Sequence, residues 1–250
     1  MHFQFPTIGI IHSCFKEKFG IPRQPGLAPL AKAQLELLAP YDDPAAIEGL
    51  ETTSHIWVQF VFHANSRESW KPKVKPPRLG GNKSIGVFAT RSPVRPSPIG
   101  LSVVKLEGIQ QLNGKLLLNL SGVDFLDGTP VLDIKPYVPY VDSISDAANT
   151  FADAPPAFIP VQLTAKQLTF CAEYQQTTGT DLAGLICQVL QQDPRPQYQT
   201  PSVDKIYGMK LLNLDLRWRY QSAMVSLTKD LLSSTSNNYE ILVDDIIVLP

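Results

Sequence analysis

Two short stretches concentrate side chains able to do chemistry. Gly86 to Gly100 reads G-V-F-A-T-R-S-P-V-R-P-S-P-I-G, and Asp127 to Tyr137 reads D-G-T-P-V-L-D-I-K-P-Y. In the first, Pro93, Pro96 and Pro98 fix φ at their own positions and push the residues before them toward extended conformations. The stretch is therefore expected to be a stiff loop, neither helix nor central strand, that presents Thr90, Arg91, Ser92 and Arg95. A guanidinium fork matches a carboxylate or phosphate bidentately, and a rigid loop loses little entropy in presenting it, so an anionic ligand is the natural reading. A Pro-rich surface loop whose arginines pair with the chain's own acids has the same composition, and composition alone leaves both open.

In the second stretch Asp133, Lys135 and Tyr137 alternate, so on a strand they project to one face while Ile134 turns away. A carboxylate, an ammonium and a phenol then share one surface, which suits a single pocket. A hairpin ion pair between Asp133 and Lys135 is the plainer alternative.

Both stretches resemble the signature segments of the TsaA-like, or TrmO, family of tRNA methyltransferases. The first is similar to V-F-A-T-R-S-x-x-R-P-N-P-I-G and the second to D-G-T-P-V-x-D-I-K-P-Y. Three more segments match in register: P-R-Q-P-G at Pro22 to Gly26, K-P-x-V-x-P-P-R-L-G-G-N at Lys71 to Asn82, and D-P-R-P-x-Y at Asp193 to Tyr198. Together they cover most of the chain. Ser97 stands where the family usually has Asn, and Ala64 follows His63 where many relatives have Gln.

The resemblance implies an all-β, non-Rossmann methyltransferase fold that uses S-adenosylmethionine to methylate N6 of N6-threonylcarbamoyladenosine beside the anticodon of tRNA. It implies that Arg91, Arg23 and His63 hold the cofactor, with Pro22, Gln24 and Ala64 beside them. Leu101 and the turn of Asp124, Phe125, Leu126 and Asp127 would pack around adenine and ribose. Asp133 becomes the candidate base or cofactor-amine partner, Lys135 the anchor for the threonyl carboxylate, and Tyr137 a hydroxyl or stacking contact. Lys71 and Arg95 would face the anticodon loop, with Arg195, Tyr198 and Arg217 forming a second RNA surface. A homodimer with the pocket at its interface is implied too. Methyl transfer from a sulfonium is an in-line displacement that requires neither metal nor covalent intermediate, so positioning and electrostatics must carry the rate. A non-catalytic cofactor- or RNA-binding regulatory module is the competing reading. It predicts a damaged pocket, whereas Asp133, Lys135 and Tyr137 are all present.

The elements that must position these groups are mostly strands. Thr7 to His12 alternates weakly. Within Leu50 to His63, Ile56, Val58, Phe60 and Phe62 share one face and Trp57, Gln59 and Val61 the other, which predicts a well-buried strand. Ile99 to Ile109 resumes strand character, Asn113-Gly114 signals a hairpin into Leu116 to Leu120, and Val131 to Val138 supplies another strand. Short strands with regular turns predict a barrel or sandwich. The linker-like composition of Asp142 to Pro160 then separates a mainly β catalytic domain, 1–145, from a small α+β, tRNA-contacting domain, 161–250, with 146–160 as the linker. In the latter, Leu163 to Tyr174 has near-helical spacing. Asp181 to Gln192 carries Leu182, Leu185, Ile186, Val189 and Leu190 at helical spacing. Lys205 to Lys210, Leu211 to Tyr220, Ala223 to Thr228 and Tyr239 to Leu249 read as antiparallel strands.

Composition bounds the answer. The 250 residues are 44% hydrophobic and 18% charged, which suits a globular protein rather than a disordered chain. With 22 prolines the chain favours strands and stiff loops over helical bundles. The N-terminus lacks a basic region before an apolar stretch, and no apolar run approaches the roughly 20 residues of a membrane span, so a cytoplasmic enzyme is expected. No strand is followed by G-x-G-x-x-G, and no P-loop or G-x-S-x-G is present. Cys14, Cys171 and Cys187 are odd in number and widely spaced, indicating neither disulfides nor a metal site. Net charge is -1, yet Arg67 to Arg95 holds eight cations against Glu68 alone. With Trp70 among them, this basic patch suits RNA phosphates and an unstacked base, although a solvated loop has the same charge.

Overall fold

A computed structural model describes residues 2–65, 70–76, 83–150, 152–195, 199–223 and 239–249. Its first half is a closed antiparallel barrel. The strands are β1 (Gly9–Ser13), β2 (Lys32–Leu37), β3 (His55–Val61), β6 (Ile99–Leu112), β7 (Lys115–Ser121) and β8 (Thr129–Pro136), in the order β1-β2-β7-β6-β3-β8. Two short strands, β4 (Lys73–Val74) and β5 (Ile85–Gly86), form a separate ribbon leading into the proline loop.

Alternation along each strand sets what faces inward. Ile56, Val58 and Phe60 of β3 and Ala33, Leu35 and Leu37 of β2 are buried, as the period of two requires. The β6–β7 hairpin turns at Asn113-Gly114, both with positive φ, as a two-residue turn of matching twist demands. Gly100 faces inward beneath Phe60, and a Cβ there would overlap the Phe60 ring. The Phe60 ring in turn meets Phe62 and Phe125 edge-on at 5.1 and 5.0 Å. Strand β2 is an element that the sequence expectations omit, although Ala33, Leu35 and Leu37 alternate with Gln34 and Glu36.

The second half is α+β. After a four-residue helix α1 (Pro139–Asp142) come β9 (Val161–Gln162), α2 (Ala165–Thr178), α3 (Leu182–Leu190), β10 (Tyr207–Leu211), β11 (Leu214–Ser222) and β12 (Tyr239–Val248). The sheet order is β10-β11-β12-β9, with β9 parallel to β12. All five predicted apolar positions of α3 are buried, and Asp181 caps the helix by accepting from Gly184 N at 2.9 Å. Thr164 and Gln167 form a capping box at α2, which ends on Gly179 at φ 73°. The expected strand at Ala223 to Thr228 lies, apart from Ala223, outside the described residues.

One hydrophobic core runs through both halves. Phe15 bridges to both Leu126 and Leu211, Leu212 N donates to Cys14 O at 2.7 Å, and Phe19 stacks on the fully buried Trp218 at 5.9 Å. The segment expected as a plain linker is partly tied down as well. Ile159 is buried, and its N donates to Gln191 O at 2.8 Å. Cys14 and Cys171 are buried, and loss of solvation pushes both thiols up to about 11, so neither is a ready nucleophile.

Candidate functional site

The proline loop is braced from within. Val87 is buried and donates its N–H to Pro72 O at 3.0 Å, which fixes the loop to the β4–β5 ribbon. Thr90 Oγ1 donates to Val87 O at 2.8 Å and accepts from Ser92 N at 3.2 Å. Ser92 Oγ accepts from Val94 N at 3.3 Å, and Arg95 Nη1 donates to Thr90 O at 3.0 Å. Arg95 thus spends one donor on holding the loop. Arg91 is exposed, and its Nη1 donates to Gln24 Oε1, so the proline loop meets the P-R-Q-P-G segment. Phe62 N donates to Pro98 O at 2.9 Å and brings the end of β3, with the exposed His63 and Ala64, to the same region. Ala64 O accepts from Lys18 Nζ at 2.6 Å.

Beside this junction lies Asp124. Its Oδ1 is enclosed and has no hydrogen-bond partner among the described residues. Burial pushes the carboxyl up to about 6, while a hydrogen bond to the buried Ser102 and the charge of Arg91 oppose that rise. An enclosed carboxylate oxygen without a donor is costly, and its place next to a cation in a junction of loops marks it as an acceptor for something absent from the chain itself. Its neighbours along the turn are occupied otherwise. Phe125 is fully buried with its ring against Phe60, so its side chain belongs to the core. Leu126 O accepts from Thr129 Oγ1 at 2.6 Å. Asp127 accepts from Ser13 N at 2.7 Å and pairs with Lys16 at 2.9 Å, clasping the turn to β1.

The outer face of the barrel carries the remaining candidates. A register shift between Gln59 and Phe60 in the β3–β8 pairing puts Val131 into the core and turns Asp133 and Lys135 outward. Asp133 lies opposite Gln59, which lies opposite Leu101 on β6. Lys135 lies opposite Trp57 and then Val103. Leu101 is half exposed, and the next residue, Ser102, is the one that holds Asp124. Leu101, Gln59 and Asp133 therefore form one outward row, while Ser102 and Asp124 lie on the inner side of β6. Lys135 Nζ sits 2.6 Å from Asp133 Oδ2 in a largely exposed pair. Tyr137 packs its ring 6.0 Å from Trp57 and 6.5 Å from His55. Trp57 Nε1 donates to Asp142 Oδ2 at 2.9 Å, and the Val138 N–H and this indole together hold the Asp142 carboxyl below its ordinary range. A cleft of about 740 Å³ elsewhere, between β1, β2 and the second half, is lined by His12, Lys16, Lys32, Gln34 and Tyr174 and contains none of this junction.

The match to known proteins is decisive. Residues 10–143 match the tRNA-methyltransferase O N-terminal domain, and residues 156–229 the TrmO C-terminal domain. The chain belongs to the TrmO family. It is 47% identical over 227 residues to the tRNA (adenine(37)-N6)-methyltransferase of Escherichia coli, covering 88% of this chain and 94% of that one. It is 54% identical over 213 residues to RcsF of Pseudomonas aeruginosa, described as a candidate S-adenosylmethionine-dependent methyltransferase, covering 85% and 90%. The crystal structure of TrmO from Pseudomonas aeruginosa superposes with a TM-score of 0.75 at 43% identity, covering 98% of this chain and 99% of that one.

The residues present fit the family's cofactor. The partnerless Asp124 oxygen calls for a hydroxyl or amine donor, Arg91 and Gln24 stand beside it, and Leu101 offers an exposed apolar surface on the outward face of β6. Among the described residues, no three His, Cys, Asp or Glu side chains cluster as a metal would need, and no helix is long and apolar enough to cross a membrane.

Other expected TrmO-family positions are placed apart. Arg195 is almost enclosed, paired at 3.0 Å with buried Asp193, and lies over the Tyr220 ring, so its guanidinium is committed inside the second half rather than offered to RNA. Arg217 is exposed but forked onto Asp215 at 3.0 Å. Lys71 is exposed at the start of the ribbon. Pro22 is buried, and Arg23 is exposed with Nη2 3.4 Å from Arg195 O. Tyr198 lies outside the described residues. Sequence reasoning passed over Gln59 and Ser102 as site residues. Gln59 had a signal, being a polar residue on the outward face of a strand otherwise apolar on both sides. Ser102 had none beyond lying inward among Val104 and Leu106.

Proposed function

We propose that this chain is an S-adenosylmethionine-dependent tRNA (adenine37-N6)-methyltransferase whose substrate is N6-threonylcarbamoyladenosine. The observation that carries the reading is the partnerless, enclosed Asp124 oxygen at the junction of the Arg91 and Gln24 loops, with Asp133 and Lys135 on the outer face of the same barrel wall. Bound S-adenosylmethionine supplies a methyl group on a positively charged sulfur. Asp124 accepts a hydroxyl or amine of that ligand, Arg91 and Arg23 hold its carboxylate, and Leu101 packs on its adenine.

On the substrate side, Lys135 takes the threonyl carboxylate. In doing so it would leave Asp133, and the freed carboxylate would accept the N6 proton as the N–CH₃ bond forms and the methyl–sulfur bond breaks, the electron pair staying on the departing neutral thioether. The proton then passes to solvent through the exposed side of Asp133. Tyr137, held by Trp57 and His55, offers its ring edge or hydroxyl to the substrate adenine. The target base has to leave its stack, which a single-stranded anticodon loop permits at low cost. Lys71 and Arg95 meet phosphates at the rim. Trp70 and Phe88, 52% and 76% exposed, present aromatic faces among these cations to neighbouring bases.

The exposed Ile99, Leu101, Tyr140 and Val141 make an apolar surface around the pocket that supports a homodimer closing over it. A barrel domain over 1–145 and a smaller domain over 161–250 divide the chain in this reading, and a tRNA substrate supports a cytoplasmic setting. Labelled methyl offered to tRNA with and without its threonylcarbamoyl group tests the reading. Label is expected on the modified pool alone, and equal label on both pools would remove the substrate assignment.

A further inference from the structure

Residues 14–31 connect β1 to β2 and carry the P-R-Q-P-G segment. Its first part is anchored to the barrel and the second sheet: Phe15 bridges to Leu126 and Leu211, Lys16 pairs with Asp127, Lys18 Nζ donates to Ala64 O, and Phe19 stacks on Trp218. In the part that carries P-R-Q-P-G, Gly26 N donates to Gly122 O at 2.8 Å, Ala31 N to Ala28 O at 2.9 Å and Val123 N to Ala31 O at 3.3 Å. This later part is also held by α3 and the turn after it. Leu30 N donates to Gln188 Oε1 at 2.8 Å. Gln192 Nε2 donates to Leu27 O at 3.2 Å and also to Gln188 O at 2.7 Å, which pins the amide. Arg23 Nη2 reaches Arg195 O at 3.4 Å. Gly184 of α3 packs against Leu30, and a Cβ there would lie 2.6 Å from Leu30 Cδ1, so the Leu30 side chain would have to shift. The far end of the support is rigid. Asp193 is buried at φ 52°, accepts from the Tyr220 hydroxyl at 2.7 Å and pairs with Arg195 at 3.0 Å.

We infer that α3 of the second half is a positioning element for the cofactor loop, with Gln188 and Gln192 as positioning residues for S-adenosylmethionine binding. The inference rests on the reading that Gln24 and Arg91 contact that ligand. The two amides act through opposite ends: Gln188 serves as acceptor for a main-chain N–H, Gln192 as donor to a main-chain carbonyl. A carboxylate can replace the first and cannot replace the second.

This asymmetry is the test, made on the full chain by calorimetric titration with S-adenosylmethionine and by separate KM values for cofactor and tRNA. Gln188→Ala leaves the Leu30 N–H unpaired and weakens cofactor binding about tenfold, while the KM for tRNA stays within about twofold. Gln188→Glu keeps the acceptor and retains wild-type affinity. Gln192→Glu sets a carboxylate against the Leu27 carbonyl and weakens binding as Gln188→Ala does. Unchanged cofactor affinity in Gln188→Ala and Gln192→Glu overturns the inference. So does joint loss of cofactor affinity, tRNA affinity and thermal midpoint, which would make the amides general supports of the fold. Gln24→Ala and Arg91→Ala separate the two levels: undiminished affinity in both removes the cofactor-loop reading itself.

Discussion

Replacing Asp124 by Asn should make the ligand-free protein more stable and a poorer binder of S-adenosylmethionine. Burial raises this carboxyl from 3.8 to about 6, so between those values the folded state keeps a proton that the unfolded state has lost. Stability therefore falls as pH rises through that window and carries the full penalty above it. The gap between 3.8 and about 6 is equivalent to roughly 3 kcal/mol at pH 7.5, and to about half of that at pH 5. An Asn of the same shape keeps a partner for Ser102 and never ionises. The ligand-free variant should gain up to roughly 3 kcal/mol at pH 7.5, a rise of about 5–10 °C in the unfolding midpoint, and about half of that at pH 5. Losing an ionised acceptor should weaken cofactor binding about 10- to 100-fold at pH 7.5. Thermal unfolding at the two pH values and calorimetric titration read both effects. A variant that is destabilised equally at both pH values, or that binds the cofactor as the wild type does, would refute the reasoning.

Lys135→Ala should lower kcat/KM on threonylcarbamoylated tRNA by about 100-fold or more through loss of a charged contact, with cofactor affinity within about twofold. Separate titrations of the two ligands check this. Arg195→Ala leaves Asp193 buried without its cation and should cost about 3–5 kcal/mol in urea unfolding. The folded fraction should bind tRNA with an unchanged salt dependence, because this arginine is not offered to phosphate. Phe88→Ala should weaken tRNA binding about tenfold, as expected for one lost stacking face, and leave the unfolding midpoint unmoved, since the ring is 76% exposed.

The barrel was legible where a strand alternates over enough residues to declare its two faces, as β3 and β6 do, and where turn chemistry is local, as at Asn113-Gly114. Strand β2 has the same alternation in six residues, but Gln34 and Glu36 break the apolar run, and its burial comes from β1 and β7, which are remote in sequence. The stiffness of the Gly86–Gly100 loop follows from its prolines and was readable. Its contact with Gln24 depends on how the β1–β2 connection folds over and was not. Asp124 reads as a turn carboxylate. Only packing shows that one of its oxygens is sealed from water and beside Arg91. Arg195 is the reverse case: an arginine between two prolines reads as exposed, yet the left-handed turn at Asp193 folds it back over Tyr220. The outward aim of Asp133 and Lys135 depends on the β3–β8 register shift, a property of the strand pair that neither strand carries alone.

The most direct test is to incubate the full chain with S-adenosylmethionine and threonylcarbamoylated tRNA, digest the product, and locate the methyl group by nucleoside mass spectrometry. The account predicts a single new nucleoside, threonylcarbamoyladenosine with one methyl on N6, from the position beside the anticodon, and about 100-fold slower formation of it by Lys135→Ala at matched cofactor occupancy. A methyl group on another nucleoside, or undiminished product from Lys135→Ala, would contradict it.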